Sequence, residues 1–302
     1  MRDMSIIFLF IDGVGLAAAG ADNPLTTAPM PLLQQLLGGP LVHEHTQRHE
    51  RLLLAAIDAT LGVDGLPQSG TGQTALLAGV NAAVLHGRHQ PHFPPTALRP
   101  LLAQRSIFRR VVDGGARATF ANLFGARYWE ALAARRIRRS ASVIAAEGAG
   151  LRFRDEHDYA AGMAVPWDIT GDLTLTRSTP LLPIEPPTAG AWLARLAVDH
   201  ELVFFETFLT DLAGHGRLSI DTAAALVRID GLIGGVLATM QPHDTLLLTS
   251  DHGNLESISA PAHTRNPVPL LVVGADTDRF AHVASIIDIA DVVVAAVVAP
   301  VA

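Results

Sequence analysis

The sequence of 302 residues contains no cysteine and no lysine, and both absences narrow its chemistry. Without cysteine, disulfides, thiolate metal ligands and cysteine nucleophiles are excluded. All 22 basic residues are arginine, so Schiff-base chemistry and the lysine of phosphate-binding P-loops are excluded as well. Carboxylates, imidazoles and hydroxyls therefore remain as the main candidates for catalytic groups.

Acidic residues are scarce in one segment of the chain and basic residues in another, although the net charge is only −7. Residues 99–154 hold 12 arginines against 3 acids, whereas residues 155–302 hold 6 arginines against 19 acids. A basic segment can meet nucleic acid or an anionic substrate. Because no aromatic-rich RNA-binding motif or helix-turn-helix pattern accompanies the arginines, we expect solvated helix faces and no nucleic-acid partner.

Apolar runs long enough to cross a membrane are also lacking. The run Ser5–Ile11 has seven residues, and the apolar residues from 292 to 302 fall far short of the roughly 20 that a membrane span needs. Asp12-Gly13 follows the first run in place of a small-residue cleavage site. We expect a cytoplasmic protein without a membrane partner; the sequence leaves its oligomeric state open.

Hydrophobic residues are plentiful, at 49% of the chain, which allows a large core. Short apolar runs alternate with amphipathic helical stretches along the sequence. This alternation is typical of α/β proteins, and it predicts a three-layer sandwich around a mostly parallel sheet. We predict one domain over residues 1–302, with a small cap or irregular insertion at about 125–187.

Three aspartates each follow an apolar run that is typical of a buried strand. The runs are Ser5–Ile11, Leu202–Thr210 and Thr245–Ser250, and the aspartates are Asp12, Asp211 and Asp251. In a parallel α/β sheet, functional groups collect beyond the carboxyl ends of the strands. We therefore expect the three carboxylates to meet at one edge of the sheet.

Histidines accompany two of these aspartates. His215 lies four residues after Asp211, a spacing that suits one face of a helical turn, although Gly214 and Gly216 also suit a tight loop. His252 follows Asp251 directly, and His263 lies in a proline-bracketed loop. Six carboxylate and imidazole ligands predict a paired divalent-metal centre of Zn²⁺ or Mn²⁺, with Fe²⁺ or Mg²⁺ as alternatives.

Two hydroxyls occur in the segment GLPQSGTGQT, where we predict a loop over Gly65–Gly72 and a helix from Gln73. The unpaired N–H groups and the dipole at a helix start favour an anion there. Ser69 or Thr71 could serve as a nucleophile, although capping the helix is a common role for either.

These motifs together resemble the alkaline phosphatase superfamily, and within it the branch of cofactor-independent phosphoglycerate mutase and phosphopentomutase. The matching residues occur in the family's order: Ile11-Asp12-Gly13-Val14-Gly15, Gln68-Ser69-Gly70-Thr71-Gly72, Thr210-Asp211-Leu212-Ala213-Gly214-His215-Gly216, Ser250-Asp251-His252-Gly253-Asn254, and His263-Thr264 with Asn266-Pro267-Val268-Pro269.

The resemblance implies two divalent metal ions and a nucleophile between them. One ion would be held by Asp12, Asp251 and His252. The other ion would be held by Asp211, His215 and His263. Ser69 aligns with the serine of the mutase motif Asn-Ser-Glu-Val-Gly-His, and Thr71 is the second choice.

The chain departs from the mutases in ways that favour hydrolysis. Gly70 and Gln73 replace the Glu and His of the mutase motif, and only about 130 residues separate Ser69 from the strand before Asp211. A mutase must retain its product for a second transfer, which a large closing cap helps. We therefore expect a phosphatase or phosphodiesterase acting on a small phosphorylated metabolite through a phosphoserine. The alternatives are a phosphomutase and a metal-binding scaffold without turnover. A sulfatase is disfavoured because the chain has no cysteine to activate.

A histidine-rich loop follows the predicted nucleophile helix. His86, Arg88 and His89 are candidate ligands for a substrate phosphate, although a polar surface loop would look the same. Asn254 and Glu256 are candidates for orienting the metal ligands from outside the first coordination shell.

Overall fold

A seven-stranded sheet forms the centre of the computed structural model, which describes residues 4–175, 181–260 and 262–298. The strand order across the sheet is β2-β3-β7-β6-β1-β5-β4. The strands are β1 (Ile6–Ile11), β2 (Gln47–His49), β3 (Leu52–Ile57), β4 (Ala118–Phe120), β5 (Leu202–Thr207), β6 (Thr245–Thr249) and β7 (Val268–Gly274).

The central strands run parallel, as the sequence predicts. β1 pairs with β5 on one side and with β6 on the other, and β4 continues the parallel part beyond β5. At the other edge β7, β3 and β2 are each antiparallel to the preceding neighbour. The predicted α/β fold with a mostly parallel central sheet is confirmed.

Helices cover both faces of the sheet. They are α1 (Pro24–Thr27), α2 (Pro31–Leu37), α3 (Ser69–Ala78), α4 (Ala82–His86), α5 (Arg99–Arg105), α6 (Ile107–Asp113), α7 (Ala126–Ala133), α8 (Ala141–Gly148), α9 (Glu156–Ala160), α10 (Pro186–Leu196), α11 (Leu209–Gly214), α12 (Thr222–Thr239) and α13 (Ile289–Val297). Short 3₁₀ turns occur at His43–His45, Thr96–Leu98, Thr277–Phe280 and Ile286–Asp288.

Strand β1 shows why the fold has three layers. All six of its side chains are buried, and successive side chains of a strand point to opposite faces. Ile6, Phe8 and Phe10 belong to the core shared with α3, α5, α6, α8 and α13. Ile7 and Leu9 belong to the core shared with α2, α10 and α12.

Helix α12 is long and apolar enough to cross a membrane by length and composition alone. The core helix of a globular protein passes the same test, and α12 packs against α10 and α2. The side chain of Asp221 caps it by accepting a hydrogen bond from the Ala224 N–H. We therefore describe it as a core helix.

Helix α3 begins at Ser69, so the predicted loop over Gly65–Gly72 was wrong in its second half. Gly70 and Gly72 have low helix propensity, yet both are buried here. A Cβ atom on Gly72 would lie 2.8 Å from the carbonyl oxygen of Asp251. Gly72 therefore lets the first turn of α3 approach the loop after β6, and Gly70 lets it approach the carbonyls of Gln90 and Phe93, so tertiary packing overrides propensity.

The segment predicted as a cap, at about 125–187, is only partly separate from the core. Helix α8 contributes Ala141, Val143 and Ala145 to the same core cluster as β1. Helix α9 contributes no residue to this cluster, whereas Tyr128 and Trp129 of α7 pack against it; residues 176–180 lie outside the described residues. The division into one domain and a small cap stays a prediction.

Candidate metal and phosphate site

The three predicted aspartates lie at one edge of the sheet. Asp12 follows β1 directly, Asp251 follows β6, and Asp211 lies in the first turn of α11 after β5. Because β1 pairs with both β5 and β6 in parallel, their carboxyl ends are adjacent. A Cβ atom on Gly13, whose φ is +73°, would lie 2.8 Å from the Cβ of Asp211. Glycine is required for this approach.

Asp12, Asp251 and His252 form a fully buried donor group. The Nε2 atom of His252 lies 3.3 Å from Oδ1 of Asp12 and 3.6 Å from Oδ2 of Asp251. Oδ1 of Asp12 and both carboxylate oxygens of Asp251 have no hydrogen-bond partner within the described ranges. Buried carboxylates without partners are costly unless a cation compensates them, so this group fits a divalent metal ion.

Burial shifts the pKa values of all three side chains, and a metal ion would counteract the shifts of the two carboxyls. Burial raises the pKa of Asp12 well above its usual range, with Asp251 and Asp211 adding repulsion. It raises the pKa of Asp251 to about 6. Burial, together with repulsion from His263, lowers the pKa of His252 to about 3. A neutral imidazole keeps the lone pair that a metal ligand needs.

Asp211, His215 and His263 form a second, less buried donor group. Oδ1 of Asp211 lies 3.4 Å from Nε2 of His215 and 3.6 Å from Nε2 of His263, and the two Nε2 atoms are 3.2 Å apart. His215 caps the carboxyl end of α11, so the Asp–His spacing spans one helical turn that ends at the glycines.

The hydrogen bonds around His263 leave its Nε2 atom available as a ligand. Nδ1 of His263 lies 2.8 Å from the carbonyl oxygen of Pro67, and a donor at Nδ1 assigns the lone pair to Nε2. The rings of His252 and His263 stack with centroids 3.7 Å apart. Donor atoms of Asp211, His252 and His263 also lie within 4.8 Å of one another. The two donor groups are therefore parts of one cluster.

Two amide side chains support the carboxylates. Asn254 donates from Nδ2 to Oδ1 of Asp211 at 2.7 Å, and Gln73 donates from Nε2 to Oδ2 of Asp12 at 3.1 Å. Glu256 accepts hydrogen bonds from the backbone N–H groups of Gly15 and Asn254, each at 2.8 Å. Asn254 thus contacts a candidate ligand directly, whereas Glu256 holds the loops together.

The hydroxyl of Ser69 lies at the candidate metal cluster. Ser69 is the first residue of α3, and its Oγ atom is 3.0 Å from Nε2 of His252. Thr71 is engaged elsewhere: Oγ1 donates to the carbonyl of Gln68 at 3.3 Å and accepts from the N–H of Gln90 at 3.2 Å. Of the two hydroxyls, Ser69 is the one that the structure brings to the donor groups.

The histidine-rich loop is placed differently. His86 contacts Gln90, His89 contacts the carbonyl of Val63, and Arg88 is exposed. None of the three lines the cavity beside Ser69 as far as the structure describes it; His92 and Phe93 of the same loop do. Their predicted role in binding phosphate stays a prediction.

A cavity of about 420 Å³ opens beside Asp12 and Ser69. Its wall includes Tyr128, Trp167, Phe208 and the buried carboxyl of Glu206, none of which the sequence analysis identified. Burial raises the pKa of Glu206 to about 7, although the hydroxyls of Ser142 and Ser140 act in the opposite direction. A single acid inside the apolar run LVFFET was a usable signal, because Glu is rarely buried without a partner.

Part of the chain is similar to known proteins. Residues 191–299 match the family model described as Metalloenzyme superfamily. A 2,3-bisphosphoglycerate-independent phosphoglycerate mutase from Syntrophotalea carbinolica is 34% identical over 30% of this chain and 19% of its own length. A phosphopentomutase from Limosilactobacillus reuteri is 44% identical over 22% of this chain and 17% of its own length. The matches therefore span about a fifth of these relatives.

Two solved structures support the fold. A mutant of the TAB5 alkaline phosphatase has a TM-score of 0.54 at 12% identity, covering 97% of both chains. The alkaline phosphatase from the Antarctic bacterium TAB5 has a TM-score of 0.50 at 14% identity, covering 97% of this chain and 98% of its own. These structures show the fold alone; together with the Metalloenzyme superfamily match and the curated mutases, they confirm the predicted resemblance.

Proposed function

We propose that this chain, which resembles the alkaline phosphatase superfamily in fold and in its C-terminal third, is a metal-dependent phosphoryl-transfer enzyme with Ser69 as its nucleophile. The observation that carries the proposal is the position of the Ser69 hydroxyl. It lies at the first residue of α3 and 3.0 Å from His252, where two carboxylate–imidazole groups meet. The reaction that this arrangement suits best is hydrolysis of a small phosphate ester.

The start of α3, the Ser69 hydroxyl and the two donor groups each have a role in this reaction. The N–H groups at the start of α3 stabilise the negative charge of the bound phosphate. The Ser69 hydroxyl loses its proton to solvent as its oxygen attacks phosphorus in line, the ester P–O bond breaks, and the leaving oxygen takes a proton from solvent. Water then releases phosphate from the phosphoserine. Divalent cations bound by the two donor groups would supply charge neutralisation and lower the pKa of the serine hydroxyl.

We assign one ion to Asp12, Asp251 and His252 and the other to Asp211, His215 and His263. Mixed carboxylate and imidazole donors suit Zn²⁺ or Mn²⁺ better than ions that prefer oxygen alone. Gln73 and Asn254 hold one carboxylate of each group in place through their side-chain amides. A cytoplasmic location, no nucleic-acid or membrane partner, and a single domain with a small cap belong to the same proposal.

The modest size of the cap favours hydrolysis over mutase activity. Helices α5, α6 and α8 and strand β4, all between Ser69 and Asp211, pack into the core beside the sheet. Little more than α7, α9 and the adjoining loops remains to cover the site. A phosphoserine under so small a cover is accessible to water, whereas a mutase must exclude water until the second transfer.

Ser69→Ala tests the proposal most directly. The purified protein would be assayed with p-nitrophenyl phosphate and bis-p-nitrophenyl phosphate in the presence of Mn²⁺ or Zn²⁺. We expect Ser69→Ala to abolish hydrolysis and to prevent trapping of a phosphorylated peptide that contains residue 69. The matched control is Thr71→Val, which removes the other hydroxyl at nearly constant volume. Activity that survives Ser69→Ala but not Thr71→Val would move the nucleophile to Thr71, and activity that survives both would refute a hydroxyl nucleophile in this helix.

A phosphomutase is the second candidate, because the curated relatives include mutases of both kinds. Incubation with 3-phosphoglycerate separates the two reactions by product. Hydrolysis releases free phosphate, whereas a mutase forms 2-phosphoglycerate. Bound metal without turnover of any phosphate ester would instead favour the third candidate, a metal-binding scaffold.

A further inference from the structure

The cavity beside Ser69 is larger than a three-carbon phosphate ester requires. Its volume of about 420 Å³ falls in the range of pockets that hold whole organic ligands. Ser69 and Asp12 lie in its wall, so it is continuous with the candidate phosphate site. The organic part of a bound ester would therefore extend into this cavity.

Aromatic side chains dominate one part of this wall. Phe124 and Tyr128 pack edge to face with ring centroids 4.9 Å apart, and Trp167 and Phe208 lie 6.3 Å apart. Tyr128, Trp167 and Phe208 are each only partly buried, so they still present surface to the cavity. Aromatic surfaces of this kind favour a flat apolar group.

Two polar atoms in the same wall have no hydrogen-bond partner among the described residues, and the only hydroxyls among these residues that act on the Glu206 carboxyl are those of Ser142 and Ser140. Oε2 of Glu206 and the hydroxyl of Tyr128 are buried, and neither has a hydrogen-bond partner in the described part of the chain. The Glu206 side chain is only 3% exposed. Buried polar groups are nearly always hydrogen-bonded, so an unpartnered pair that faces a cavity indicates a ligand.

The backbone of Glu206 is held firmly. Asn122 donates from Nδ2 to the Glu206 carbonyl at 2.8 Å and accepts from the Glu206 N–H at 2.9 Å. Glu206 is also paired within β5, one residue before the strand ends. A carboxyl on so rigid a support keeps its direction before a ligand arrives, which lowers the entropic cost of binding.

We propose that the natural substrate is a phosphate ester whose organic part is a flat ring with an N–H or O–H donor, and that Glu206 accepts the hydrogen bond from this donor. The ring packs among Phe124, Tyr128, Trp167 and Phe208. The inference rests on the proposed function for the position of the phosphate. It makes Glu206 a specificity-determining residue. It disfavours a ring that presents a carboxylate to Glu206, because two acids would then meet, although Arg138 and Arg217 also line the cavity.

Binding of phosphonates tests this specificity without turnover, since their P–C bond is not cleaved by a phosphatase. The probes are 4-(aminomethyl)benzylphosphonate, 4-methylbenzylphosphonate and 4-carboxybenzylphosphonate, titrated calorimetrically into the Mn²⁺-loaded protein. We expect the aminomethyl compound to bind about tenfold more tightly than the methyl compound, as a charged hydrogen bond provides, and the carboxy compound to bind most weakly.

Glu206→Gln should remove the preference for the aminomethyl compound, and Glu130→Gln is the matched control. Glu130 is an exposed acid on α7, so the control loses the same charge outside the cavity and should retain the preference. Equal affinity for the three phosphonates, or a preference that persists in Glu206→Gln, would overturn the proposal.

The contribution of the ring has an independent test that does not depend on the folding of the Glu206 variant. Trp167→Leu should weaken 4-methylbenzylphosphonate about tenfold while leaving propylphosphonate, which has no ring, nearly unchanged. Equal losses for both ligands would overturn the aromatic part of the inference. Discrimination among phosphonates by a protein that hydrolyses no ester would refute the proposed function alone. Hydrolysis without such discrimination would refute only this inference.

Discussion

The two candidate metal-binding groups differ in burial although they share one rim of the sheet. The side chains of Asp251 and His252 have no exposed surface, whereas those of Asp211 and His215 are 17% and 22% exposed. The first group follows directly from buried central strands, and the second depends on the short helix α11. The difference indicates that one ion would be held by rigid core structure and the other by a segment that water reaches.

The largest effect expected from this comparison is that of Asp251→Asn. Both carboxylate oxygens of Asp251 are buried and have no hydrogen-bond partner among the described residues, so we assign them to a bound cation. We expect kcat/KM for p-nitrophenyl phosphate to fall about 10³-fold or more, because several kcal/mol of charge stabilisation are lost. Asp199→Asn, on an exposed acid, is the control and should leave the rate unchanged. If Asp251→Asn hydrolysed the ester at nearly the wild-type rate, the buried donor group would not be required for catalysis.

His215→Ala should have a smaller effect, of about 10²-fold on kcat/KM, because Asp211 and His263 still remain as ligands. Metal analysis after dialysis should show loss of the ion from the half-buried group and retention of the ion in the buried group. The half-buried ion should also be the first that a chelator removes from the wild type. Simultaneous loss of both ions would show that the two groups act as one site.

The amide side chains of Asn254 and Gln73 allow a matched comparison of the two donor groups. Asn254→Ala removes the hydrogen bond to Asp211, and Gln73→Ala removes the hydrogen bond to Asp12. Each change should reduce activity or metal affinity by about 10-fold to 100-fold. We expect Asn254→Ala to weaken binding of the half-buried ion selectively and Gln73→Ala to weaken the buried one. If metal titrations showed the opposite pattern, our assignment of Asp211 to the half-buried ion and of Asp12 to the buried ion would be wrong.

The last prediction concerns stability instead of catalysis, and it separates Glu206 from the candidate metal ligands. Burial raises its pKa from 4.5 to about 7 in the folded state, so the folded protein binds a proton more tightly than the unfolded chain. The free energy of unfolding therefore falls as the pH rises from about 4.5 to 7. Glu206→Gln removes this penalty, and its stability relative to the wild type should increase by up to about 3 kcal/mol between pH 4 and pH 8. Urea unfolding of metal-free protein measures this, and a constant difference across that range would contradict the raised pKa.

Local pattern predicted the strands well and the start of α3 poorly. The apolar runs before Asp12, Asp211 and Asp251 became β1, β5 and β6 because continuous Ile, Leu, Val and Phe suit strands that are buried on both faces. The segment around Ser69 was interpreted as loop because glycine disfavours helix. Its contact with the loop after β6 compensates for that low propensity, and no local pattern contains such a contact.

The candidate ligands were identifiable from the sequence because each follows a strand or lies in a short motif of its own. The metal-ligand roles of these six residues and the nucleophilic role of Ser69 stay predictions that the experiments above test. Glu206, Tyr128, Trp167 and Phe208 were not identified. They come from separate elements between positions 128 and 208, and nothing in their spacing predicts that they share a cavity.

By itself, the sequence determined the α/β class, the central strands that precede Asp12, Asp211 and Asp251, and the types of side chain that gather beyond those strands, because burial of apolar runs and the geometry of parallel strands follow from local pattern. Only the tertiary structure decided that Ser69 rather than Thr71 approaches His252, and that an unpartnered acid faces an aromatic cavity. The physical reason is that both depend on how distant segments pack, and packing at that range is set by the whole core.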